Sequence, residues 1–391
     1  MTSFAKSFAA AVVALAPSAL ASSEAFVDDL KRSLTVEAEE IADAFGFPGI
    51  TVSVADGNGV VSVAVGSANL ETGEEMTPRT TMPAASVGKT FVAAVVLDFV
   101  AEAQLSLDSP VAPLFADDAW FARLPNAETM TVRHLLGHRS GLPDHVKLSA
   151  FPEMLRRSDR ETDPVELISL LGGLDPLFPA GEEWSYSDTG YLILGLIIER
   201  VTGEPFEDAV RIRFIEPLAL GLTGPSNRRQ LPGLARGYAS EAGGLGLPVR
   251  STDGEGRLVW NPAIEGAGGG FYSTSSDLAT WGRAFLSGRL TKEELFKVAA
   301  EGVPTAPERR ASRYGLGIAV RSGPVMGEAY GHRGWIPGYS TSLQYYRAHD
   351  AAIALQINTD IGIIDSDRPI LMEIEDRIAS AYCRAIRDEQ Q

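Results

Sequence analysis

Apolar residues recur at three- and four-residue spacing from Glu24 to Phe45, which predicts a helix with one buried stripe. After Phe47-Pro48-Gly49 the period changes. The segments ITVSVAD and VVSVAVG, parted by Gly57-Asn58-Gly59, alternate or run apolar and are rich in Val, so they predict a β-hairpin. From Ser86 the run SVGKTFVAAVVLDFVAEAQL has no polar face until its end. A helix apolar nearly all round is one enclosed by its domain, and Ser86 stands at its start. Between about Leu107 and about Arg250 the chain reads as helical pieces broken by Pro and Gly, among them TVRHLLGH, PVELISLLGGL and YLILGLIIERVTG, the last with Gly203 as its stop. Strand character returns in YGLGIAV, STSLQYYR and AAIALQIN, and a helix is expected from about Arg368 to Arg387. This order predicts an α+β fold, an α/β sandwich. One antiparallel sheet is fed by both chain ends and flanked by helices, with a helical lobe inserted at roughly 107–250.

Composition adds limits. With 51 acidic residues against 34 basic ones, the net charge of -17 excludes a general nucleic-acid binder, because phosphates would be repelled. The N-terminus MTSFAKSFAAAVVALAPSALASSEAF has one lysine, an apolar stretch from Phe8 to Ala16, and Ala19-Leu20-Ala21 before polar residues. That is the layout of a secretory signal peptide at 1–21, which leaves a mature domain at 22–391 in the periplasm or the medium. The longest other apolar run, Phe91 to Leu97, stops at Asp98, so no stable membrane insertion is expected after signal removal. The single Cys383 cannot form an internal disulfide.

The stretch AASVGKTF admits two chemistries. A phosphate-binding loop requires glycine five residues before its Gly-Lys pair; here that position is Pro83, which has no N–H to offer a phosphate. The other chemistry is a nucleophile, Ser86, with Lys89 three residues on along one face, able to reach its hydroxyl. His134 and His138 share a four-residue spacing in HLLGH, but a zinc protease would need Glu at 135 and the residue is Leu. These histidines, with His145, are expected to be structural, and neither a metal nor a cofactor is expected. The glycines of GAGGGFYS lack a Rossmann-type surround and predict close backbone packing near the site.

Two further elements complete the picture: Trp184-Ser185-Tyr186-Ser187-Asp188-Thr189-Gly190 and Tyr330-Gly331-His332-Arg333-Gly334-Trp335. Together with SVGK they make the chain resemble serine hydrolases of the β-lactamase and penicillin-binding-protein group, class C type, over essentially its whole mature length. The resemblance implies that Ser86 is the acylated nucleophile, that Lys89 is a proton acceptor coupled to it, and that Tyr186 shares general-base work and protonates the leaving group. It also implies substrate contacts at Asp188, His332, Arg333 and Gly334, and an oxyanion hole made by the backbone N–H groups of Ser86 and Trp335. Two positions depart from the group. Asp188 stands where Asn is usual, and it should raise the pKa of Lys89. Arg333 stands where many relatives carry a small residue; the expectation is that it neutralises Asp188 or receives a substrate carboxylate. The implied activity is hydrolysis of a small-molecule or peptide substrate through an acyl-enzyme, foremost as a D-alanyl-D-alanine carboxypeptidase or D-amino-acid peptidase, with a peptidoglycan stem peptide as candidate. A carboxylesterase, a class C-type β-lactamase and a catalytically weakened binding homologue are the alternatives.

Overall fold

The computed structural model describes residues 17–157, 163–306 and 312–389. Of the expected leader, residues 1–16 lie outside the described residues, and Pro17 opens a helix that runs to Phe45. The main sheet runs, edge to edge, Glu74–Glu75, Gly59–Asn69, Gly49–Asp56, Ala351–Ile357, Tyr339–Tyr346, Gly327–Ile336, Ala319–Gly323, Ser312–Tyr314 and Val303–Pro304. Every neighbouring pair is antiparallel. The predicted hairpin therefore joins the C-terminal strands through Gly49–Asp56 and Ala351–Ile357, and both chain ends feed one sheet, as the pattern implied.

Alternation along the central strands sends side chains to two separate cores. Ile50, Val52, Val54, Ile353, Leu355 and Ile357 face the first helix and the last, Ile370–Glu389, and pack with Phe26, Leu30, Leu34, Ile374 and Ile378. Ala352, Ala354 and Leu343 face the opposite way, into the core that holds Leu278, Trp281 and Phe285 of the helix Ser275–Phe285. That helix comes close because Gly282 has no side chain; a Cβ there would lie 2.5 Å from Leu343.

The helix predicted from Ser86 begins three residues later. Its α-helical part is Lys89–Ala101, fully buried from Lys89 to Leu97, while Ser86 lies on the preceding 3₁₀ turn Ala85–Gly88. The strand expected at YGLGIAV is split into Ser312–Tyr314 and Ala319–Gly323. Its glycines explain the break: Gly317 has φ +76°, and a Cβ on Gly315 would fall 1.9 Å from the Ala299 carbonyl oxygen. The strand Gly327–Ile336 carries too little apolar alternation to be read by period, yet it brings the third motif to the site.

Candidate active site

A small second sheet of Met82–Pro83, Phe271–Ser273 and Gly224–Pro225 delivers the chain to the 3₁₀ turn. There Ala85 is held at φ +48°, a region that non-glycine residues rarely adopt. Neighbouring backbone grips the turn from two sides. A Cβ on Gly334 would lie 2.5 Å from the Ala84 carbonyl oxygen and 3.0 Å from the Ser86 nitrogen; one on Gly269 would lie 2.6 Å from the Ala85 carbonyl oxygen. Both approaches need glycine, and the one at Gly269 is the close packing that GAGGGFYS predicted.

Lys89, the first residue of its α-helix, reaches back so that Nζ donates to Ser86 Oγ at 3.1 Å. It also donates to the Gly268 carbonyl oxygen and pairs with Asp188 Oδ1. The Tyr186 and Tyr191 rings flank the ammonium at 5.0 and 5.3 Å from their centroids. Burial pushes the Lys89 pKa down, but the Asp188 charge and Tyr186 outweigh it and hold the amine above its ordinary value. Burial pushes Tyr186 up to about 12, against the pull of Lys89 and Ser86 beside its oxygen, so it is a neutral phenol.

The segment after HLLGH is scaffolding for the second motif. His138 Nδ1 accepts from the Ser187 N–H at 3.3 Å, Asp144 Oδ1 from the Asp188 N–H at 3.2 Å, and His145 Nδ1 meets Thr189 Oγ1 at 3.0 Å. Burial drives both imidazoles toward the neutral form, His145 to about 4. His134 instead caps its own short helix Val132–Leu136, with Nδ1 accepting from the Thr131 N–H.

The third motif requires two corrections. His332 does not line the cavity at Ser86. It is buried behind Tyr186, with Nε2 on the Tyr314 hydroxyl at 2.8 Å and Nδ1 on the Arg333 carbonyl oxygen at 2.6 Å, and burial lowers it to about 3. Arg333 neither neutralises Asp188 nor lines the cavity at Ser86. Its guanidinium forks onto Glu375 of the last helix at 2.7 and 2.6 Å, on the far side of the strand. Side chains alternate across a strand, and Glu375 supplies the partner that Asp188 was expected to be.

Trp335 is better placed. Pro337 and Gly338 form a two-residue turn closed by the pair Ile336–Tyr339, so the next pair, Trp335–Ser340, exchanges no ladder hydrogen bonds. The Trp335 N–H therefore faces away from its partner strand, next to Gly334 and the Ser86 turn. The Ser86 N–H opens that turn, where helical donors lack internal acceptors.

A cavity of about 100 Å³ opens beside Ser86, walled by Asp188, Trp335, Phe151, Leu155, Leu245 and Ile264 among others. Glu265, which nothing in the sequence marked, also lines it. So does the backbone of Gly268, whose carbonyl takes Lys89; only the run of glycines hinted at that contact.

The chain is similar to known proteins over most of its length. The family described as Beta-lactamase matches residues 37–369. A D-stereospecific amidohydrolase from Streptomyces sp. superposes with TM-score 0.71 at 29% identity, over 85% of this chain and 94% of that one. The D-amino acid amidase from Ochrobactrum anthropi SV3, complexed with D-phenylalanine, gives TM-score 0.75 at 26% identity, over 91% and 99%. Penicillin-binding protein 4 of Amycolatopsis lactamdurans is 28% identical over 306 residues, 75% of this chain and 73% of that protein.

Proposed function

Since the chain belongs to the Beta-lactamase family, we propose that it is a serine acyl hydrolase of D-amino-acid peptides or amides, with Ser86 as the nucleophile. The observation that carries this reading is the Ser86–Lys89–Asp188 chain of contacts, closed off by Tyr186. The relatives named for penicillin binding and for D-amino-acid amides support the substrate class.

Ser86 Oγ attacks the carbonyl carbon, and the oxyanion that forms lies between the N–H groups of Ser86 and Trp335. Because Lys89 rests charged, it takes the Ser86 proton only as it passes one of its own to Asp188. The positive charge meanwhile stays beside the new alkoxide. The phenol of Tyr186, beside both Ser86 and Lys89, donates its proton to the departing amine and regains one from Lys89. Collapse of the intermediate leaves an ester on Ser86, which water hydrolyses by the reverse sequence. Export through residues 1–21 to the periplasm or medium is part of the same proposal, with short D-amino-acid peptides and amides as the substrates met there.

Ser86→Ala should lower turnover of a D-alanyl p-nitroanilide by on the order of a thousandfold or more. Intact-mass spectrometry of the wild type quenched during turnover should show one acyl adduct, absent from the variant. A variant that keeps full rate overturns the assignment.

A further inference from the structure

Glu265 has no explanation in the machinery above. It sits in the turn Pro262–Gly268, three residues past the proline that opens it, just before Gly266, whose φ of +43° and ψ of -135° break the turn's helical path. The same turn presents the Gly268 carbonyl to Lys89. Glu265 Oε1 is buried and makes no hydrogen bond among the described residues, yet the residue lines the cavity that Ser86 opens into. A buried carboxyl left unpaired is costly, and native proteins rarely keep one without a ligand to meet it. Among the described residues, no lysine or arginine side chain lines this cavity. Asp188, the other acid there, is already engaged by Lys89, and Arg333 is committed to Glu375. A substrate carboxylate would find no free cation in the cavity. A substrate cation would find an unpaired acid.

We propose that Glu265 is a specificity-determining residue that receives the α-ammonium group of the substrate, an assignment that rests on Ser86 being acylated by D-aminoacyl compounds. An α-ammonium is one carbon from the carbonyl under attack, so both must occupy the same cavity, and this one contains the nucleophile and the acid together. The enzyme therefore prefers D-amino-acid amides and peptides with a free N-terminus over N-acylated ones. Burial raises the Glu265 carboxyl to about 8, against the pull of Lys89. Near pH 7 the empty site is therefore mostly protonated and becomes a carboxylate as the ammonium docks, with release of a proton.

The test compares three probes on the wild type and Glu265→Gln at pH 7: D-alanine p-nitroanilide, its N-acetyl derivative, and p-nitrophenyl acetate. The wild type should favour the free-amine anilide over the N-acetyl one by about tenfold or more in kcat/KM, and Gln should abolish most of that preference. Turnover of p-nitrophenyl acetate, which has no amine, should change less than about threefold, which also shows that the variant is folded. Calorimetry of D-alaninamide binding to Ser86→Ala, in buffers of different ionisation enthalpy, should show proton release that Glu265→Gln removes. Equal losses on all three probes, or a preference for the N-acetyl anilide in the wild type, overturn the role of Glu265 while leaving the serine hydrolase intact. Absence of any acylation of wild-type Ser86 overturns both.

Discussion

Buried alone, the amine of Lys89 would shed its proton, because a low-dielectric surround penalises charge. It does not, because Asp188 supplies an opposite charge within contact distance. Replacing Asp188 by Asn removes that charge and leaves the burial, so the Lys89 pKa should fall by one unit or more, about 1.4 kcal/mol per unit. A deprotonated Lys89 would then be the base in its own right. The acylation rate of Asp188→Asn should rise with pH through the range where Lys89 loses its proton, below its ordinary value. The wild type, whose amine is held charged, should be flat there. Stopped-flow acylation by p-nitrophenyl acetate across pH decides it, and identical profiles would show that Asp188 does not set the charge of Lys89. Ser86 and Lys89 could be picked out of the sequence because a short spacing becomes contact at a turn or helix start, whereas Tyr186, far along the chain, was reached only through the resemblance of its motif. Glu265 could not be picked out. Its neighbours in the cavity, His145 with Phe151, Leu245 and Trp335, come from three distant stretches that meet only in the folded chain.

At the level of elements, the strand Gly327–Ile336 is fastened on both faces. Toward the nucleophile it presents Gly334, which lets it press on the Ser86 turn. On the other face Arg333, joined by Arg321, holds Glu375 of the last helix. Burial pushes the Glu375 carboxyl up, but Arg333 and Arg321 outweigh it and keep it below its ordinary value. A carboxyl depressed in the fold adds stability above its unfolded pKa of about 4.3, and that stability is lost as pH falls through the lower folded value. Glu375→Gln leaves two arginines without their buried anion and should cost about 3 kcal/mol or more near pH 7. Melting temperatures measured from pH 7 downward should start lower for the variant and converge toward the wild type below about pH 4. A constant gap at all pH would remove Glu375 from that role. This clamp was illegible in the sequence for a definite reason. Arg333 could be matched to a motif, but which face of the strand it takes follows from register, and its partner lies on a helix 42 residues further on.

For the molecule as a whole, hydrophobic period was enough to name the fold class, because long runs such as AAIALQIN keep one face per core. Where glycines break the ladder, as at Gly315 and Gly317, period failed and steric contact decided. The two ends of the chain are structurally interdependent. A chain ending at Asp350 would lack Ala351–Ile357 and the last helix, stripping Gly49–Asp56 of a partner and the first helix of Ile374 and Ile378. Such a chain should show no cooperative thermal transition by circular dichroism, whereas a sharp melt would mean that the lobe and the hairpin fold unaided.

The pairing of Ile50 with Ile357 has a consequence for how the protein comes into being. A ribosome releases the N-terminal hairpin long before its neighbour in the sheet exists, and closing so wide a loop is slow. Throughout synthesis the nascent polypeptide can have neither of its two cores finished. The turn of Ser86 lies against Gly334 and lacks that contact until the strand Gly327–Ile336 has been made. A chain that stops before Ala351 therefore lacks the strand that joins the N-terminal hairpin to the strands carrying Gly334.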